Sequence, residues 1–161
     1  MKKIRTYLYI FVLAAVVFAA WYVSRSCFQL LLIHGESMSP TYRSGALVVL
    51  EKHPEEYRRG DVVLYHCDSL GQDIVKRIAA VPGDTLQISG DIIRVNSVVC
   101  APLPKDNAEL SDCLKGTDYI IPDGEYFLLG DNFSESIDSR DARVGLADES
   151  GFKGRVLRPR Q

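Results

Sequence analysis

Between Thr6 and Ser24 the chain carries no charged residue, and no other feature constrains its fold as strongly. A helix that is apolar all round must be buried, either in protein or in lipid. About 20 apolar residues is the length that crosses the hydrocarbon core of a bilayer. Tyr7, Tyr9, Trp21 and Tyr22 stand near the two ends of the run, where amphipathic rings favour the membrane–water interface. The sequence therefore predicts a transmembrane helix over 6–24. A removable leader has the same basic start and apolar middle, but Phe18-Ala19-Ala20 is followed by Trp21, a poor small-x-small cleavage pattern, so the segment is expected to stay as an anchor. Lys2, Lys3 and Arg5 precede it and only Arg25 follows closely, so the positive-inside bias puts residues 1–5 in the cytoplasm and 25–161 outside.

The external part has about 135 residues, the size of one domain. The whole chain has a formal charge of -2, and its first 25 positions hold four basic residues and no acidic one, so the remainder carries about -6. Such a surface disfavours nucleic acid as a partner. Short apolar runs at close spacing, without a helical period, predict strands at 46–50, 61–66, 74–81, 85–88, 91–95, 126–129 and 155–157. Pro82-Gly83-Asp84 and Ser89-Gly90-Asp91 supply turns between them. The expected fold is mostly β: one N-terminal membrane helix followed by a twisted, partly closed β-barrel or sandwich.

Two stretches carry chemistry. The turn HGESMSPT, 34–41, sets two serines beside an acid and a proline where an apolar run ends. Read alone, it is an ordinary loop. The strand IVKRIAAV, 74–81, sets two cations side by side in an apolar run. Side chains alternate across a strand, so Lys76 shares a face with Ile74, Ile78 and Ala80, and Arg77 with Val75, Ala79 and Val81; at least one of the two cations is expected against apolar neighbours. A snorkelling edge lysine is the plain reading. Arginine keeps its charge, whereas a desolvated lysine loses its proton and becomes a base. A serine in a tight turn and a buried lysine are the parts of a serine hydrolase that needs no histidine. His34, His53 and His66 have neither triad nor metal spacing and read as surface or packing residues; no metal or cofactor is expected.

GESMSPT, then VKRIAAVPGD, then GDNFSESIDSR, in that order and spacing, resemble the boxes of the type I signal peptidases, membrane-anchored serine proteases that remove signal peptides from exported proteins. The resemblance makes Ser37 the nucleophile and Lys76 the general base, with Ser39 the weaker candidate because it precedes Pro40. It makes Ser136 the hydroxyl that orients the lysine amine, and Asp138 and Arg140 the framework of the site. It also implies preprotein substrates with small residues before the cut, bound in shallow apolar pockets. Ile33, Met38, Tyr42, Ile74 and Val75 are the expected lining, together with Gly35, which stands where some relatives carry a hydroxyl oxyanion donor. The expected location is the cell membrane, with the lipid bilayer as the partner of the helix.

Two departures stand out. After Arg140 the family continues through an aromatic residue to a glycine within three positions, whereas this chain reads Asp141-Ala142-Arg143-Val144-Gly145, two residues longer. The chain is also short, so a second β-unit must be reduced. Both leave room for a specialised peptidase, for instance one serving a conjugation or pilus system. A self-cleaving repressor of the LexA type shares the serine–lysine logic but needs a DNA-binding region in place of an anchor. Cys100 and Cys113 flank a polar excursion and form the expected disulfide; a bridge closing that loop would stabilise by about 3 kcal/mol.

Overall fold

A computed structural model of the chain describes residues 2–89, 92–102 and 118–157, with the side chains at 2, 3, 8, 19, 20, 23 and 24 left out of that description. The helix α1, Lys2–Cys27, has 26 residues, a length of roughly 39 Å at 1.5 Å per residue. The large apolar side chains described on it stand in the open: Phe11, Leu13 and Phe18 are each more than 60 % exposed. Among the described residues no helix is long and apolar enough to cross a membrane. The span expected at 6–24 thus rests on the sequence.

Strand β1, Phe28–Leu32, follows α1 without a loop, and nearly all the remaining regular structure is β. In chain order come β2 Leu47–Glu51, β3 Val62–Cys67, β4 Gln72–Ala80, β5 Thr85–Ser89, β6 Ile92–Val95, β7 Val98–Pro102, β8 Tyr119–Ile120, β9 Glu125–Leu129, β10 Ala147–Asp148 and β11 Phe152–Leu157. They form a seven-stranded sheet in the order β1-β2-β11-β3-β4-β9-β10 and a four-stranded sheet in the order β7-β6-β5-β8. The mostly β fold is as expected from the strand spacing, but no closed barrel forms among the described residues. The larger sheet is open, because β1 and β10 lie at opposite ends of it and do not pair.

Burial explains the strands. In β2 Val48 and Leu50 point inward while Leu47 and Val49 face out. In β3 both faces are covered, so its run Val62–Tyr65 is uniformly apolar, as a central strand requires. Strand β11 lies between β2 and β3 and pairs with both, its register against β3 shifting at a bulge next to Gly154, whose φ of 148° belongs to glycine and whose missing Cβ leaves room for the Glu51 carbonyl. One core cluster, with Val48, Leu50, Val62, Leu64 and Val156, lies under the turn that follows β1. A second lies around Val63, Ile74, Ile78 and Leu128. A third joins Ala80 and Phe127 to Leu86, Ile93 and Ala101 of the smaller sheet. Of the expected disulfide, Cys100 is half-buried on β7; Cys113 lies outside the described residues.

Candidate active site

The turn that carries Ser37 is fixed from two sides. Its flanks pair as a short continuation of β1 and β2, with Ile33 N–H on the Ala46 carbonyl at 2.9 Å and Gly45 N–H on the Ile33 carbonyl at 2.8 Å. Beneath it, Tyr42 N–H donates to the Met38 carbonyl at 2.8 Å, one helical turn back. That places Met38, 1 % exposed, and Tyr42, 7 % exposed, in the core as plugs. From the side, Asn132 donates its backbone N–H to the Ser37 carbonyl at 2.9 Å and its amide to the Glu36 carbonyl at 3.2 Å. Gly130, on the same incoming loop, approaches so closely that a Cβ there would collide with the Ser136 side chain and lie 2.6 Å from the Ser37 carbonyl oxygen.

Lys76 meets this turn from the middle of β4. The burial pattern of that strand puts Ile74, Lys76 and Ile78 on the inward face, as the two-residue period dictates. Lys76 is 4 % exposed, and its Nζ donates to Ser37 Oγ at 2.7 Å. The lysine pKa falls from 10.5 to about 8, chiefly through burial; the Asp138 carboxylate opposes the shift and the Arg140 charge adds to it. An amine near neutrality at working pH can accept the serine proton that a fully charged one cannot. Ser37 N–H makes no hydrogen bond within the chain among the described residues, which leaves it available to a developing oxyanion.

Behind the lysine, Asp138 and Arg140 form a two-pronged ion pair, Nε to Oδ1 at 2.8 Å and Nη2 to Oδ2 at 2.9 Å, with both side chains at most 2 % exposed. Asp138 also accepts from Gly130 N–H, and Arg140 donates to the carbonyls of Pro102 and Phe133. A buried pair of charges needs this many partners to be tolerated. Arg77, on the other face of β4, grips Asp131 with two hydrogen bonds of 2.7 and 2.6 Å and so ties the start of the loop to the strand. Ser139 exchanges two hydrogen bonds with Leu128 of β9, donating its N–H and accepting on its Oγ. Nothing in the sequence distinguishes that serine from its neighbours.

Ser136 departs from expectation. Its hydroxyl is buried and has no hydrogen-bond partner, so the contact with the Lys76 amine is not made in this structure. The structure divides the expected substrate lining between cleft and core. A cleft of about 410 Å³ opens beside Ser37 and Lys76, and Ile33, Ile74 and Val75 line it, as do Leu31, Leu64 and Ile137. Met38 and Tyr42 do not, because they are turned down into the core. Gly35 is absent from the lining too; its N–H caps the Ser44 hydroxyl at 3.2 Å, with φ at 85°. His34, read as a surface or packing residue, is on the cleft wall, beside Gln72, Asp73 and Glu135. Two unpaired strand edges flank the opening. Among the described residues, strand β1 ends the sheet, and Gln72–Lys76 of β4 pairs only with β3, since β9 joins β4 from Arg77 onward.

An open β scaffold here presents a serine hydroxyl to a buried amine. The comparisons give the family. The family model for signal peptidase, peptidase S26, matches residues 4–159, and the chain belongs to that family. It is 33 % identical to signal peptidase I of Bacillus licheniformis over 79 % of this chain and 73 % of that one. It is 31 % identical to signal peptidase I U of Bacillus subtilis over 95 % and 86 % of the two chains. Signal peptidase IB of Staphylococcus aureus is 34 % identical over 77 % and 73 %. Among solved structures, a signal peptidase I from Enterococcus faecalis aligns at a TM-score of 0.45 and 25 % identity over 64 % of this chain and 97 % of that one. The chain is a serine endopeptidase that removes signal peptides. The repressor alternative gives way to this membership.

Proposed function

We propose that Ser37 is the nucleophile and Lys76 its neutral general base, in a peptidase held at the cell membrane by its N-terminal helix. The observation that carries the chemistry is the 2.7 Å hydrogen bond between Lys76 Nζ and Ser37 Oγ at a lysine almost wholly buried. Deprotonated Lys76 takes the proton from Ser37 Oγ as the oxygen attacks the scissile carbonyl. The oxyanion forms against Ser37 N–H, and the protonated amine then gives its proton to the leaving nitrogen. Water, activated by the same amine, hydrolyses the acyl-enzyme. The residues before the cut lie extended between the free edges of β1 and β4, pairing through backbone hydrogen bonds. Their side chains meet Ile33, Ile74 and Val75, where a small residue fits.

The anchor is supported by the uncharged run Thr6–Ser24 and by the basic residues before it. The roughly 39 Å length of α1 exceeds the ~30 Å hydrocarbon core, and the large apolar side chains described on it, such as Phe11, Leu13 and Phe18, are exposed instead of packed on the domain. With the N-terminus in the cytoplasm, residues 25–161 and the cleft lie outside.

The experiment is cleavage of a synthetic preprotein by the purified full chain in detergent micelles. The precursor should be cut after a small residue, and Ser37→Ala should abolish cutting. Equal cleavage by Ser37→Ala overturns the assignment. A reporter joined after residue 161 should be active only outside the cytoplasm; cytoplasmic activity overturns the topology.

A further inference from the structure

The two extra residues after Arg140 build a turn that the chemistry above does not use. Val144 N–H and Gly145 N–H both donate to the Asp141 carbonyl, at 2.9 and 3.0 Å, and the Asp141 carboxylate grips the Arg143 guanidinium, its nearest oxygen 2.6 Å away. The turn is therefore closed on itself. It is also latched to a distant element. The Ser69 hydroxyl, in the short turn between β3 and β4, donates to the Arg143 carbonyl, and the Cys67 thiol reaches the same oxygen at 3.9 Å. Val144 is 8 % exposed and sits in one core cluster with Ile74, against which Leu70 packs. Leu70 and Ile74 both line the substrate cleft. The extra turn thus supports the cleft wall from behind, at the end remote from Ser37.

We infer that the Asp141–Gly145 turn, through the Ser69–Arg143 latch, positions Leu70 as an apolar subsite for a substrate residue about four positions before the cut. This deepens the peptidase reading above and rests on its placement of the residues before the cut between β1 and β4. The distance follows from the strand: Lys76 to Gln72 is four residues, about 13 Å of extended chain. A substrate pairing with that edge therefore brings the side chain some four residues from the cut to the Leu70 lip. The lip is apolar and half-buried, so an aliphatic side chain is favoured there over a polar one. Ser69 touches no substrate. It is a positioning residue, acting through the backbone that carries Leu70.

The test uses the full chain in detergent micelles and three quenched fluorogenic peptides. Two are long and identical except for Leu or Ser at the fourth and fifth positions before the cut; the third begins three residues before the cut. The wild-type chain should cleave the Leu peptide roughly 10-fold more efficiently than the Ser peptide, with the difference in KM, as expected for an apolar pocket. Ser69→Ala should bring that ratio close to one while leaving the short peptide at its wild-type kcat/KM, and Ser69→Thr, which keeps the hydroxyl, should restore the ratio. A chain that cuts the short peptide but does not distinguish Leu from Ser overturns this inference alone. So does Ser69→Ala that slows the short peptide and keeps the preference. A wild-type chain that cuts none of the three overturns the peptidase reading and this one with it.

Discussion

Replacing Lys76 with methionine should abolish cleavage and make the protein more stable at neutral pH, by an amount that shrinks as the pH rises. The lysine is 4 % exposed, and its pKa falls from 10.5 in the unfolded chain to about 8 in the fold. Between those values the unfolded state binds more protons than the native state, so the stability of the wild-type chain rises with pH across that window. Below pH 8 the fold carries the full cost of holding a charged amine out of water. At one pKa unit per 1.36 kcal/mol this cost is about 3 kcal/mol. Methionine has a similar length, no charge and no proton to lose, and so it carries none of that cost.

The difference between the two chains is the useful quantity, because every other titrating group is common to both. Moving from pH 6.5 to pH 9.5 should reduce the advantage of Lys76→Met by about 2 kcal/mol, or roughly 6–10 °C in Tm for a domain of this size. Urea or thermal unfolding of the full chain in detergent at the two pH values measures it. The same lysine should make wild-type cleavage rise with pH about tenfold per unit below pH 8 and level off above it. A stability difference that does not change with pH would refute the reasoning, since it would mean that Lys76 carries the same charge in the folded and unfolded chain.

Lys76→Arg keeps a cation that cannot act as a base, so it should fold and yet lose roughly 10³-fold in kcat, read with the preprotein assay; near wild-type turnover refutes the base assignment. Gly130→Ala should push the Ser37 turn away from Lys76, since the added Cβ would sit 2.6 Å from the Ser37 carbonyl oxygen. A displacement of that kind costs on the order of 10²-fold in kcat, and an unchanged kcat would show that the loop yields instead. Peptide mapping of non-reduced protein from an oxidising compartment should find Cys100 joined to Cys113, and free thiols at both positions would rule the bridge out.

What could be read from the sequence follows the range over which each cause acts. Strands bounded by turn residues were legible, and β2 to β6, β9 and β11 lie within a few residues of their expected places. Strand β1 was not, because Phe28–Leu32 follows the apolar run of α1 after only Arg25-Ser26-Cys27, with no glycine or proline to mark a change of structure. Strands β8 and β10 have two residues each and exist only through their partners. The same limit governs the site. Motif position gave Met38 and Tyr42 as lining but could not say which way a turn points its side chains, and the Tyr42–Met38 hydrogen bond turns both inward. The Ser69–Arg143 latch joins residues 74 apart and leaves no trace in spacing.

Lys76 was legible only with the family resemblance, because the sequence puts apolar residues on both faces of its strand, and the structure supplies the reason for the choice. In Ile74-Val75-Lys76-Arg77-Ile78 the two isoleucines, 9 % and 0 % exposed, fix which face of β4 is inward, and the two-residue period then carries Lys76 in with them. A slip of one residue would exchange the cations. It would bring to Ser37 a guanidinium that cannot give up its proton, and it would break the paired hydrogen bonds between Arg77 and Asp131. The register of the strand therefore decides more than packing: it selects which of two adjacent cations meets the serine, and only one of them can serve as a base.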